Sequence, residues 1–183
     1  SRESAQRVAD QFMIPVVYES WQDLVAADDT DAILIGTWPY LHCPVTLDAL
    51  QHNKHVLREA RMAMNAREAH LMLETAREFH DLVTQVVPSP FTLGVDNTIR
   101  RMIAEDYLGD LLAMEVRAST GFLNRDAPLG WRQASELSGM NIMTLGIWYE
   151  AVMRWVGQAE SVQAQGLTFS KMRRDCLLYT SPS

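Results

Sequence analysis

The sequence predicts an α/β fold. An incomplete doubly wound parallel sheet runs to about residue 88, and a truncated α+β domain with an open, mainly antiparallel sheet follows. Three observations predict it. Asp31–Asn65 reads as strand, helix and strand in about thirty residues, the length of a βαβ unit, whose handedness makes the two strands parallel. Strand and helix patterns alternate on either side of it. That alternation stops at Pro88-Ser89-Pro90, where two prolines disfavour both a helix and a central strand.

In chain order, Ala5, Val8, Ala9 and Phe12 have helical spacing, so residues 4–12 form an amphipathic helix. Ile14–Tyr18 reads as a short strand with a proline near its start. Ser20 and Asp23 make an N-cap arrangement for a helix that buries Trp21, Leu24 and Val25. Asp28–Asp31 is a turn. Ala32–Ile35, a continuous apolar run stopped by Gly36, reads as a strand buried on both faces. The loop Thr37–His42 leads to a helix capped by Cys43, with Pro44 at its first position and Leu47 and Leu50 on its inner face. Asn53 takes the left-handed turn after it, and His55–Arg58 closes the unit as a strand.

Asn65 and Glu68 form a capping box for a helix ending near His80, with Ala69, Met72, Leu73, Ala76 and Phe79 along its apolar stripe. Leu82–Val87 is a further strand. Beyond the prolines, Asp96–Asp106 reads as a helix burying Ile99, Met102, Ile103 and Tyr107, with a tight turn at Leu108-Gly109-Asp110. Leu111–Thr120 alternates apolar and polar residues, the pattern of a half-buried strand. Residues 121–138 are loop, Gly139–Val156 a long helix, and Ser161–Phe169 another strand. Cys176–Ser183 shows no periodicity and reads as a non-native or disordered tail.

Composition narrows the function. Hydrophobic residues make up 48% and charged residues 21% of the 183 positions, an ordinary globular balance. A net charge of −7, with Arg100-Arg101 and Arg173-Arg174 as the adjacent basic pairs, argues against nucleic acid. No apolar run approaches the length of a membrane span. Two cysteines make no disulfide framework, which suits a reducing, cytoplasmic setting. Nucleophile-elbow, P-loop and zinc spacings are absent, and His52 and His55 straddle a helix end instead of sharing a face.

The segments IGTWPYLHCPVTLDAL and KHVLREARMAMNAREA resemble the NAD(P)-dependent oxidoreductases named after glucose–fructose oxidoreductase and inositol dehydrogenase, the Gfo/Idh/MocA family. That family carries a T-P-x-x-x-H loop after its fourth strand and E-K-P after its fifth. The resemblance implies a Rossmann-like first domain over 1–88 and a partial substrate or oligomerisation domain over 89–175. It also implies that the first strand, its glycine loop and the second strand would precede Ser1, since none of the nine glycines here forms G-x-G-x-x-G. The chain reads as a fragment with an incomplete cofactor site.

By the same resemblance, Thr37, Trp38, Pro39, His42, Glu59, Ala60 and Arg61 line NAD or NADP. The bland reading is that Trp38 and Tyr40 only pack and His42 caps a helix. Glu59 keeps the family's acid, but Ala60 replaces its catalytic Lys and Arg61 its Pro. Arg61 can clamp a carboxylate or phosphate, yet it is too basic to accept a proton near neutrality. In the stretch that resembles the family's D-x-G-x-H helix, Thr144 stands at the Asp position and Trp148 at the His. Asn141, Thr144 and Trp148, with Arg132 of a Trp131-Arg132 pair, are the substrate-side candidates. His42, Tyr149 and Glu150 are the candidate replacement bases. No metal is implied. Two functions follow: hydride transfer to or from a sugar, polyol or related hydroxyl compound, or a non-catalytic cofactor- or sugar-binding protein that has lost Lys and His. The full-length protein would form a homo-oligomer through its C-terminal sheet.

Overall fold

The computed structural model describes residues 2–87, 93–119, 124, 126–140, 143–169 and 171–173. The chain divides into two units, Ser1–Val87 and Pro88–Ser183. The first contains helix α1 (Arg2–Phe12), helix α2 (Trp21–Ala26), strand β1 (Ala32–Ile35), a 3₁₀ turn (Pro39–Leu41), helix α3 (His42–Gln51), strand β2 (His55–Arg58), helix α4 (Ala66–Glu78) and strand β3 (Thr84–Val86). The strands form one parallel sheet in the order β1-β2-β3. Ile33 pairs with Val56 and Ile35 with Arg58, so the carboxyl ends of β1 and β2 lie side by side.

The local signals act as their chemistry requires. The Ser20 hydroxyl accepts the Asp23 backbone N–H at the start of α2. The Asn65 side chain accepts the Glu68 N–H, while Glu68 reaches back to the Met64 N–H, so each satisfies a donor left over at the start of α4. Asn53 adopts φ 59, a left-handed turn open to an Asn without a glycine. α3 begins two residues earlier than its sequence suggests, at His42 with Leu41 as cap. Pro44 still lies within the first turn, where the missing N–H has no intrahelical partner to lose.

One face of the sheet carries the core: Ile33, Ile35 and Val56 pack with Val25 of α2 and with Val45, Ala49 and Leu50 of α3. The other face is open. Leu34 is 68% exposed, so β1 is buried on one side and not on both. Continuous apolar character predicts two covered faces, but among the described residues of this unit the helices cover one. Residues 14–18, expected as a strand, form none; a strand exists only by pairing, and this segment has no ladder partner. Lys54 is buried, and its ammonium donates to the carbonyls of Ala27 and Thr30 at 2.7 and 2.6 Å, closing the end of α2.

The second unit holds helices α5 (Asp96–Ala104), α6 (Ser135–Ser138) and α7 (Met143–Val156). α5 stops before Tyr107, which is therefore exposed. Gly139, at φ 58, separates α6 from α7, so the long helix starts at Met143. Residues 111–119 and 161–169 form no strand, and the open C-terminal sheet is not seen. Alternation gives residues 111–119 two faces but no partner: Leu112 is 91% exposed, and Glu115 and Arg117 pair with each other at 2.6 Å, two residues apart as in extended chain. The Pro88–Pro90 boundary and the Cys176–Ser183 tail lie outside the described residues. No helix among the described residues is long and apolar enough to cross a membrane.

α5 and α7 are joined by one cluster built on the buried Asp96. Asp96 takes a bidentate pair of bonds from Arg154, the shortest at 2.8 Å, and accepts the Trp155 indole N–H at 2.8 Å. The Arg154 hydrogen bonds hold the Asp96 carboxyl below the usual carboxylate range, burial opposes them, and Trp155 adds to the lowering. The cluster's stabilisation is therefore complete above the unfolded carboxyl value, roughly pH 4, and is lost as pH falls through the lower folded value. Thermal melts from pH 6 to 2 should show this unit weakening on acidification, and Asp96→Asn should lower Tm at pH 6 while flattening that acid limb. At the other unit, Asn65→Ala should cost about 1 kcal/mol in urea unfolding through loss of the α4 cap.

Candidate functional site

Three parallel strands end on the same edge of the first unit, which is where open α/β sheets bind ligands. The chain after β1 runs Gly36-Thr37-Trp38, and the chain after β2 runs Glu59-Ala60-Arg61. The Glu59 N–H donates to the Ile35 carbonyl at 3.0 Å, so the two exits are hydrogen-bonded neighbours. The Ala60–Arg61 peptide is cis.

His42 joins them. Its ring is 1% exposed, with Nε2 3.0 Å from the Thr37 carbonyl and Nδ1 2.8 Å from the Arg61 carbonyl. A neutral imidazole donates from one nitrogen, so the tautomer decides which carbonyl receives the proton. Both nitrogens nonetheless face backbone, and neither is turned towards a ligand. His42 is a staple between the two loops. Its place at the start of α3 fixes it there, because the 3₁₀ turn over Pro39–Leu41 brings the helix back under the Thr37 loop.

Around this staple the site residues take distinct positions. Pro39 is buried, while Trp38 and Tyr40 are 46% and 41% exposed, leaving aromatic surface on the loop. The Thr37 hydroxyl donates to the Trp38 carbonyl at 3.3 Å. Glu59 and Ala60 are exposed, and Arg61 is half-buried. Burial lowers the Arg61 pKa from the ordinary arginine value. Below it, Arg58 is buried and donates from Nη1 to the Met62 carbonyl.

Cys43 is buried under α4, near the Glu68 carbonyl. Its position near a helix start suggests a lowered thiol pKa, but burial pushes it up, Glu68 adds to this, and Arg58 only partly offsets them. It is a packed, protonated thiol.

The substrate-side candidates fall in the other unit. Arg132 lies over the Trp131 ring, 4.1 Å from its centroid, a cation–π contact. Trp148 is half-buried on α7, and Tyr149 and Glu150 are exposed on the same helix. Asn141 lies outside the described residues, as does the side chain of Thr144. Among the described residues, no group of three or more His, Cys, Asp or Glu could hold a metal ion. Sequence reasoning passed over Arg58; the available signal was a cation closing an otherwise apolar strand, His55-Val56-Leu57-Arg58.

Comparison with known proteins adds to this geometry. Residues 1–86 match the family described as an oxidoreductase family with an NAD-binding Rossmann fold, and residues 97–176 match the C-terminal domain of the Gfo/Idh/MocA proteins. The trans-1,2-dihydrobenzene-1,2-diol dehydrogenase of Xenopus tropicalis is 29% identical over 167 residues, covering 90% of this chain and 49% of that protein. The NADP(+)-dependent D-xylose 1-dehydrogenase of Haloarcula marismortui is 29% identical over 157 residues, covering 85% and 43%. The crystal structure of a Synechocystis biliverdin reductase with biliverdin and NADP+ shares the fold at a TM-score of 0.63 and 23% identity, over 90% of this chain and 49% of that one. The chain spans about half the length of the curated relatives it matches.

If His42 is the staple, removing its ring nitrogens should destabilise the unit. His42→Phe keeps the volume but removes the ring N–H, and the backbone carbonyl it served is left unsatisfied at a cost of about 1–3 kcal/mol. Urea unfolding followed by tryptophan fluorescence measures it.

Proposed function

The chain belongs to the Gfo/Idh/MocA oxidoreductase family, and from that membership we propose that the whole protein is an NAD(P)-dependent oxidoreductase acting on a hydroxyl compound of the diol, sugar or polyol class. The observation that carries the reading is the stapled pair of loops. Thr37 and the Glu59–Arg61 turn are held together at the carboxyl edge of the parallel sheet, the position at which the family resemblance puts the cofactor. The named relatives, one a diol and one a xylose dehydrogenase, support the substrate class.

In this reading residues 1–88 are a partial dinucleotide-binding domain and 89–175 a partial substrate domain. NAD or NADP, when bound, takes or gives the hydride. The Thr37–His42 loop and Glu59 hold it, and Trp38 supplies an aromatic wall. Arg61 brings a guanidinium for a carboxylate or phosphate beside the site, one residue from the place of the family Lys. Alcohol oxidation also needs a proton acceptor, and a positioned base contributes roughly 10²–10⁴-fold. Ala60 has no proton chemistry, Thr144 and Trp148 supply no base, and Arg61 stays protonated. His42 is committed to backbone carbonyls. Tyr149 and Glu150 are thus the acceptors to test, with Arg132, Asn141, Thr144 and Trp148 as substrate contacts.

A second reading, a cofactor- or sugar-binding protein without turnover, rests on Ala60. One experiment separates the two. The full-length protein is titrated with NADH and NADPH by fluorescence, then assayed on diols, aldoses and polyols, beside Ala60→Lys and Tyr149→Phe. Turnover in the native protein that falls about 10²-fold in Tyr149→Phe or Glu150→Gln supports the enzyme and names its base. Binding without turnover, with activity gained in Ala60→Lys, establishes the binder. We further propose that the full-length protein assembles as a homo-oligomer through the C-terminal segment that exposes Leu112, Met114 and Val116. Sedimentation should give a dimer or larger, and a monomer at high concentration counts against it.

A further inference from the structure

β2 ends on a buried arginine. Arg58 lies on the core face of the sheet, in register with Ile35 and Val86, and is 4% exposed. Desolvation there lowers its pKa from the ordinary arginine value, and Cys43 lies close enough to oppose this. An apolar residue at 58 would continue the face formed by Ile33, Ile35 and Val56 without that desolvation. It could not do what this side chain does. Its Nη1 donates to the carbonyl of Met62, four residues on, while its own carbonyl accepts the Val87 N–H of the next strand at 2.7 Å.

The carbonyl before Met62 belongs to Arg61, and it is held by His42 Nδ1 at 2.8 Å. Two successive carbonyls are therefore fixed by two buried side chains from two different elements, Arg58 from β2 and His42 from α3. Two residues on, the Met64 N–H is bound by the Glu68 carboxylate at 3.0 Å. His42 holds the middle of the turn, while the Glu59 N–H ties its start to Ile35 and Glu68 holds its far end at Met64. Arg58 adds a point at Met62, and with the neighbouring Arg61 carbonyl held by His42 the pair sets the orientation of the stretch between.

We propose that Arg58 is a positioning residue for the site, fixing where Ala60 and Arg61 stand beside the Thr37 loop. The proposal rests on the NAD(P) reading, under which that turn lies against the cofactor. A displacement of about 1 Å at such a site can cost on the order of 10²-fold in rate. A guanidinium suits the task better than an ammonium, because its planar fork is preorganised and more weakly hydrated.

The test compares full-length wild type with Arg58→Met, which keeps an apolar stem, and Arg58→Lys, which keeps the charge. Rates are normalised to the cofactor-binding fraction. The expected result is a kcat lowered about 10–100-fold in Arg58→Met, with KM for the hydroxyl substrate changed far less, and partial recovery in Arg58→Lys. A lowered Tm with wild-type kcat per binding site overturns the positioning role. Should Arg58→Met not fold, Arg58→Lys decides: reduced kcat at wild-type Tm supports the role, and unchanged kcat overturns it. Should the wild type bind cofactor without turning over, hydrogen exchange of the amides of residues 60–64 is the readout. Faster exchange there than wild type, with α3 unchanged, supports the role, and equal exchange overturns it. A wild type that binds neither NADH nor NADPH removes the functional reading, and the proposal with it.

Discussion

A single imidazole holds together the two loops on which the site depends. His42 sits between the carbonyls of Thr37 and Arg61, at 3.0 and 2.8 Å, with almost no exposure. Carbonyls at the ends of parallel strands have left the ladder and need other partners when buried. Wedged between them, one ring couples the exit of β1 to the exit of β2, and each neutral tautomer donates to one of the two carbonyls. The distance between the loops is then set by the width of an imidazole. Arg58, one carbonyl further along, holds the Met62 carbonyl of the same turn.

Everything beneath follows from keeping that edge rigid. The β1-α3-β2 unit has a core of Ile33, Ile35, Val45, Ala49, Leu50 and Val56, with Val25 of α2 packed against it. Asn53 turns the chain sharply, and Lys54 ties the end of α2 to the start of β2 by bonding the Ala27 and Thr30 carbonyls. These devices sit on short elements, with β1, α3 and β2 running four to ten residues each. They place the loops without demanding anything of the loop sequences. The departures that the family resemblance implies at Ala60 and Arg61 therefore fall on loops and leave this frame intact.

What the sequence made legible was what local chemistry decides. Ser20 and Asn65 cap their helices because a side-chain oxygen two or three residues ahead of free N–H groups has few better options. Asn53 was readable for the same local reason. The parallel pair was readable because apolar runs separated by an amphipathic helix admit few topologies. Strands whose partners must come from far away were not. Leu112, Met114, Val116 and Ala118 alternate correctly, yet alternation names a face and never a neighbour, and the segment forms no ladder. The site divides along the same line. His42 was legible as a loop residue through its motif, but its two carbonyl partners, 5 and 19 residues away, belong to tertiary structure. Arg58 looked like the polar end of a strand until its partner appeared four residues on.

The substitution at residue 60 gains its meaning from this frame. An abandoned site has no reason to keep its supports, since a buried guanidinium and a buried imidazole bonded to backbone are costly to retain once they position nothing. Here both are present and both bear on the same turn, the one where the family resemblance sets Ala60 at the Lys position and Arg61 at the Pro. A fixed turn carrying Ala60 presents a small, uncharged surface at the family's Lys position. A fixed turn carrying Arg61 delivers a guanidinium from one residue away, with its backbone held at the carbonyl. In the proposed reading positive charge shifts by one residue, from a group that can exchange a proton to one that can only bind an anion. Proton transfer and charge stabilisation, which one lysine can combine, must then be supplied by different residues. In the proposed reading that separation describes a remodelled site and not a decayed one.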